Sequence, residues 1–265
     1  MNILEQIVAF KKTEIEKRKS IQSFDDLQAS PFFSKKNLSL RQFLVDETKT
    51  GIIAEFKRKS PSKGVINDKA DVVEVTAAYT KHGASCLSVL TDESFFGGSD
   101  ADLIRARVNE IPILRKDFII EEYQIAEAKS IGADVILLIA ACLSPAEVKR
   151  LASFAKEAGL EVLLELHDEE ELGHICDETE IIGINNRNLK TFEVDIDRSL
   201  RMAEQIPADK IKVAESGINS IENILLFRQH GFKGFLIGEN FMKAADPTIA
   251  FADFVIQLKA KTHET

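Results

Sequence analysis

Charged and polar residues follow the short apolar runs of this chain with a regularity that ordinary surface charge lacks. In "IIAEFKRKSPSKG", residues 52 to 64, Glu55, Lys57 and Ser60 come directly after three apolar residues. Thr91 and Asp92 follow "CLSVL", Lys116 and Asp117 follow "IPIL", and Glu165 lies near the end of "EVLLEL". Asn185 and Arg187 close the run "EIIGIN", Glu215, Ser216 and Gly217 close "IKVAE", and Gly238, Glu239 and Asn240 close "GFLIG". If the first run is a strand, Glu55 and Lys57 are two apart and project to the same face. An inward carboxylate beside an inward ammonium is costly to bury unless the two are paired. A single pair would read as a structural ion pair. Carboxylates and cations at several run ends together point to a site where protons and anions are handled.

Two of those run ends suggest what is handled. "AESGI" and "LIGEN" each set a glycine among small or polar residues, where backbone N–H groups can face an anion. A phosphorylated small molecule is therefore expected, although Gly217 and Gly238 also read as residues that merely permit tight turns. There is no Walker loop, and no G-x-G-x-x-G follows a strand, so a nucleotide cofactor is not indicated. His167 and His174 in "HDEEELGH" lack metal-ligand spacing and are expected to be surface or loop histidines.

The elements that must position these residues follow from the same runs. Eight β-rich apolar segments, from "GIIAEF" to "GFLIG", are separated by stretches whose apolar spacing is mostly helical. Near-continuous apolar strands suit a parallel sheet covered by helices. In "SPAEVKRLASFAKEAGL", Ser144 is the expected N-cap, Pro145 the first helical residue, Glu147 the capping-box partner and Gly159 the stop. Eight such units predict an α/β fold, a (β/α)8 TIM barrel, over an open doubly wound sheet. Barrel chemistry sits at the C-terminal ends of the strands, where the polar residues fall.

Residues 1–48 precede the units and are expected to form a helical extension on a single domain of 265 residues, with the barrel spanning 49–265. Ile3, Leu4, Ile7 and Val8 form an apolar stripe, whereas "KKTEIEKRKS" reads as a solvated helix face. The extension could cap the barrel for stability or form a flap over its mouth.

Composition limits the function classes. A net charge of -9 and a pI near 5.2 argue against a nucleic-acid partner. Cys86, Cys142 and Cys176 are odd in number and widely spaced, which suggests neither a disulfide framework nor a zinc ribbon and favours a reducing, cytoplasmic setting. The N-terminus does not read as a signal peptide, and no apolar stretch reaches membrane-spanning length.

Taken in order, "IIAEFKRKSPSKG", "LSVLTDESFFGGS", "PILRKDFII", "LLELHDEEEL", "IGINNRNLKTFEVD", "VAESGI" and "LIGENFMK" resemble the indole-3-glycerol phosphate synthase family, from residue 48 to about 245. The resemblance implies closure of 1-(2-carboxyphenylamino)-1-deoxyribulose 5-phosphate to indole-3-glycerol phosphate, with release of CO2 and water and with neither metal nor organic cofactor. It implies that Lys116 is the general acid of the condensation and Glu165 the carboxylate that stabilises the cationic intermediate. Glu55 and Lys57 supply the remaining acid and base, their roles not divided by the sequence. By the same resemblance Ser60, Asn185, Arg187, Glu215 and Ser216 line the substrate pocket, and Phe118 and Leu137 wall the aromatic ring. Gly217, Gly238 and Glu239 meet the phosphate, with charge from Lys57. The chain ends soon after the eighth unit, so a single activity without a fused isomerase domain is expected. Phosphoribosylanthranilate isomerase and a noncatalytic phosphometabolite binder remain as alternatives, the first distinguished by turnover of its own substrate, the second by binding without turnover.

Overall fold

The computed structural model describes residues 3–188 and 193–263. In chain order its strands are β1 (Ile52–Phe56), β2 (Lys59–Ser60), β3 (Gly64–Val65), β4 (Cys86–Leu90), β5 (Ile113–Lys116), β6 (Val135–Ile139), β7 (Glu161–Leu166), β8 (Ile181–Asn185), β9 (Ile211–Glu215) and β10 (Phe232–Ile237). Eight of them form a closed parallel barrel in which β1 pairs with β4 on one side and with β10 on the other. The expected barrel is therefore present. The remaining two, β2 and β3, make an antiparallel hairpin beyond β1 that the apolar pattern does not reveal, because the segment is polar and only two residues deep on each side.

Alternation along the strands divides the core in two. Ile53, Leu114, Val135, Leu163, Val213 and Leu236 fill the barrel interior. Ile52, Ala54, Val89, Leu138, Ile184 and Phe235 face the helices. Helix punctuation acts as expected at Pro145–Glu157: the Ser144 and Glu147 side chains each accept a hydrogen bond from the other's backbone N–H, and Gly159 takes a φ of +75° just past the end.

The N-terminal extension consists of α1 (Ile3–Ile21), α2 (Phe24–Gln28) and α3 (Leu40–Val45). It reaches both ends of the barrel. Ile3, Leu4 and Ile7 of α1 line the cavity at the C-terminal mouth. Leu40 and Leu44 of α3 join the interior cluster at the opposite end, where the Leu38 N–H donates to Asp134 and the Ser39 hydroxyl to Glu161, beside the starts of β6 and β7.

"KKTEIEKRKS" is not wholly a solvated face. Ile7, Lys11 and Ile15, spaced four apart, all point inward. Lys11 is only 2% exposed, and its ammonium lies 3.0 Å from Asp92, 2.9 Å from Asp117 and 3.0 Å from Glu14. Burial opposes its charge, but Asp117 and Asp92 outweigh that and hold it above the usual lysine range. Burial likewise works against the Asp117 charge, yet Lys11 and Arg115, with a hydrogen bond from Thr91, bring its pKa down to about 2. Thr91, Asp92 and Asp117 thus anchor α1 to the ends of β4 and β5. Lys11→Ala, which removes the ammonium 3.0 Å from buried Asp92 and leaves buried Asp117 with Arg115 at 3.6 Å, is expected to cost about 3–5 kcal/mol, read as a lowered urea midpoint. A loss below ~1 kcal/mol would place the triad among weakly contributing surface pairs.

Candidate active site

A cavity of about 610 Å³ opens at the C-terminal mouth of the barrel. Every site residue that the family resemblance implies lines it: Lys116, Glu165, Glu55 and Lys57; Ser60, Phe118, Leu137, Asn185, Arg187, Glu215 and Ser216; and Gly217, Gly238 and Glu239. Thr91 and Asp92, read with them as strand-end residues, do not, and serve the Lys11 anchor instead. Residues 189–192 of the "IGINNRNLKTFEVD" stretch lie outside the described residues.

Strand pleating explains the convergence. Glu55 and Lys57 extend the inward face of Ile53, Lys116 that of Leu114, Glu165 that of Leu163, and Glu215 that of Val213. The Lys116 ammonium lies 2.9 Å from Glu165 and 3.6 Å from Glu215. Asn185 donates through Nδ2 to Glu165 Oε1 at 3.0 Å and accepts from the Arg187 N–H through Oδ1. Glu55 and Lys57 pair at 2.7 Å, and the Ser88 hydroxyl reaches the second Glu55 oxygen at 3.4 Å.

Burial and charge divide the carboxyls. Burial would raise Glu165, but Lys116 and His167, with a hydrogen bond from Asn185, hold it well below the usual carboxylate range. Glu215 goes the other way: burial, then the neighbouring Glu165 charge, push it up to about 8 despite Lys116. Lys116 is buried too, which disfavours its charge, yet Glu165, Glu215 and Glu55 keep its pKa above the ordinary lysine value. The cluster therefore holds an ammonium, an ionised carboxylate and a carboxyl ready to carry a proton at neutral pH, the pushed-apart pattern of acid–base sites.

Two glycines make room for this. A Cβ on Gly183 would lie 2.0 Å from Glu215 Oε1, and one on Gly238 would lie 2.5 Å from Glu55 Oε1. Gly183→Ala meets chiefly the movable end of a side chain, so the protein should fold with little loss of stability while Glu215 is displaced. A fall in kcat of up to ~10²-fold with a nearly unchanged melting temperature is expected, as small misplacements of reacting groups produce. Wild-type kcat would show that the Glu215 position is not critical.

The walls are apolar on one side. Phe118 packs against Phe96 with ring centroids 5.9 Å apart, and Leu137 and Ile139 continue the surface beneath. The opposite corner suits an anion. Ser216 and Gly217 both have positive φ, 65° and 69°, and the helix Glu239–Met242 starts at Gly238, its first N–H groups lacking intrahelical acceptors. The Glu239 carboxylate stands 3.7 Å from Arg187 and 3.9 Å from Lys63, which places two cations at this corner besides Lys57.

The reading of His167 as a surface or loop histidine is overturned. It is 6% exposed, lines the cavity, and sets Nε2 2.9 Å from Glu165 Oε1. Its position two residues beyond Glu165, just past the end of β7 and in step with its inward face, was the available signal. His174 lies in the 3₁₀ turn Glu169–His174, and its ring nitrogens meet the carbonyls of Glu171 and Leu143. Of the two positions left open for the extension, α1 takes the mouth with Ile3, Leu4 and Ile7, a choice the sequence did not make because nothing local in it says where an added helix docks.

Fold and site define a (β/α)8-barrel enzyme with an acid–base cluster, an apolar wall and an anion corner at its C-terminal mouth. The family model for indole-3-glycerol phosphate synthase matches residues 4–254. The chain belongs to the indole-3-glycerol phosphate synthase family, lyases of tryptophan biosynthesis. It is 48% identical over 255 residues to the indole-3-glycerol phosphate synthase of Bacteroides thetaiotaomicron, covering 96% of this chain and 98% of the relative. It is 44% identical over 259 residues to that of Bordetella pertussis, covering 96% and 99%. Among solved structures, it resembles a chain of the tryptophan synthase complex from Pyrococcus furiosus, with TM-score 0.59 and 18% identity over 80% of this chain and 99% of that one. The alpha subunit of tryptophan synthase from Legionella pneumophila gives TM-score 0.62 at 14% identity, covering 85% and 98%. At those identities the likeness is one of fold.

Proposed function

We propose that the cavity closes the ring of 1-(2-carboxyphenylamino)-1-deoxyribulose 5-phosphate, with the carboxyphenyl group against Phe118 and Leu137 and the phosphate in the corner of Gly217, Gly238 and Glu239, near Lys57. Lys116 donates a proton to the ketone oxygen as the ring carbon bearing the carboxylate attacks the carbonyl carbon. The resulting cation is stabilised by Glu165, and loss of CO2 restores the aromatic ring. Departure of the hydroxyl as water, with loss of a ring-side proton, completes the indole, and the Glu55 and Lys57 pair supplies the acid and base of that step. Ser60, Asn185, Arg187, Glu215 and Ser216 hold the sugar and carboxylate groups.

The observation that carries this reading is the Lys116 ammonium, held between Glu165 and Glu215 inside an apolar-walled cavity. An ammonium so placed can meet negative charge developing on oxygen without reorganising first. The reading includes no nucleic-acid partner, which the acidic net charge of -9 supports, and a cytoplasmic setting, which the free cysteines Cys86, Cys142 and Cys176 support. No helix among the described residues is long and apolar enough to cross a membrane. Purified protein mixed with the carboxyphenylamino-deoxyribulose phosphate should produce indole fluorescence, and substrate that binds without forming indole would overturn the reading.

A further inference from the structure

His167 has no part in the ring closure described above, yet it is buried against that cluster. It continues the inward face of β7 beyond Glu165, and its Nε2 is 2.9 Å from Glu165 Oε1, the oxygen that also accepts from Asn185. On its other side Nδ1 lies 3.8 Å from Glu171 Oε2, and the same Glu171 oxygen accepts the His167 backbone N–H at 2.6 Å. The charged groups therefore alternate in sign from Lys116 through Glu165 and His167 to Glu171, with the Glu215 carboxyl at the far side of Lys116.

We propose that His167, as an imidazolium, is a positioning residue that fixes the Glu165 carboxylate with one oxygen toward Lys116. The proposal rests on the assignment of Glu165 to the ring closure. Glu165 Oε1 is claimed by Asn185 and His167 together, which leaves Oε2 for the Lys116 ammonium at 2.9 Å. Without His167, Oε1 keeps only Asn185 and Oε2 only the Lys116 ammonium, which also faces Glu215 at 3.6 Å, so the carboxylate is held less firmly about its last torsion. A carboxylate between a lysine and a histidine is also denied the proton that would neutralise it, since both neighbours carry charge.

The protonation state has a sign that can be checked. Burial would lower the His167 pKa, but the carboxylates of Glu165, 2.9 Å away, and Glu171, 3.8 Å away, bring it up to about 9. A raised pKa means that the cationic contact is present at neutral pH and is lost as pH rises through about 9. Other titratable groups face this row. Cys142, on the turn after β6, is pushed up to about 12 by burial and then by Glu165 and Glu171, so it stays a neutral thiol through this range. Lys116 on β5 keeps its proton further into alkali. Glu215 on β9 titrates near His167, at about 8, but across Lys116 from it.

The test compares kcat and KM against pH for the full-length wild type, His167→Ala and His167→Gln, with ¹⁵N NMR of the histidine rings. His167→Ala is expected to lower kcat by ~10- to 100-fold with KM little changed, as loss of orientation does. His167→Gln, which retains a neutral side-chain donor, should recover most of that loss at neutral pH and lack the alkaline limb due to the imidazolium. The Glu215 limb persists in both variants, which separates the two titrations. An unchanged kcat and pH profile in His167→Ala would overturn the proposal. If His167→Ala fails to fold, a wild-type alkaline limb in His167→Gln does so instead. If the wild type forms no indole, the ring-closure reading fails, and the NMR titration still decides for the imidazolium: a ring already neutral at pH 7 overturns it.

Discussion

Lys116→Ala is expected to lower kcat for indole formation by about 10²–10³-fold, the usual consequence of removing a preorganised donor from a site of developing oxyanion charge. KM should change much less, because the corner proposed for the phosphate and the apolar wall are untouched. The same substitution leaves Glu165 and Glu215 facing each other across a void without the cation that lies 2.9 and 3.6 Å from them. The two carboxyls then hold a proton more readily than in the wild type, since like charges brought together in a buried site disfavour double ionisation. Substrate should still bind, as titration with the substrate and detection of bound phosphate would check. Wild-type turnover in this variant would remove Lys116 from the acid role.

Glu165→Gln should be nearly as damaging, lowering kcat by ~10²-fold or more, within the range general acid–base groups contribute. It keeps the shape and the contact with Asn185 but deletes the charge that the Lys116 ammonium approaches most closely. Two pKa changes should accompany the loss. Lys116 falls toward the ordinary lysine range, because burial, which opposes its charge, loses its largest counterweight. Glu215 falls as well, because the charge of Glu165 is the second cause of its rise after burial. The pH profile of the residual activity should therefore shift to lower pH on its alkaline side. A loss of less than about tenfold would assign the acid–base work to Glu55, whose pairing with Lys57 at 2.7 Å gives it a partner of its own.

Strand-end chemistry was legible because the pleat is local. Once "EVLLEL" is a strand, Glu165 must share a face with Leu163, and once eight runs are counted, the charged ends must gather at one mouth. Helix punctuation was legible for the same reason, since Ser144, Pro145, Glu147 and Gly159 act within one turn of the chain. His167 was misread although the same two-residue rule applied to it; its neighbours "HDEEEL" look like solvated loop, and only the fold of the 3₁₀ turn Glu169–His174 brings Glu171 back under the ring. The "KKTEIEKRKS" segment was misread because its inward stripe is carried by a lysine, and a buried lysine is sensible only when its partners are known.

The sequence by itself determined the eight-unit barrel, the position of Lys116, Glu165, Glu55 and Lys57 at strand ends, and the glycines of the anion corner, since all of these rest on periodicity and on residue types close together in the chain. Tertiary structure alone decided which charges pair. Lys11 meets Asp92 and Asp117, Lys116 meets Glu165 and Glu215, and Gly183 leaves its missing Cβ to a carboxylate on another strand. Each of those contacts joins residues far apart in the chain, and the energy of a buried charge depends on atoms within a few ångströms of it, wherever in the sequence they originate.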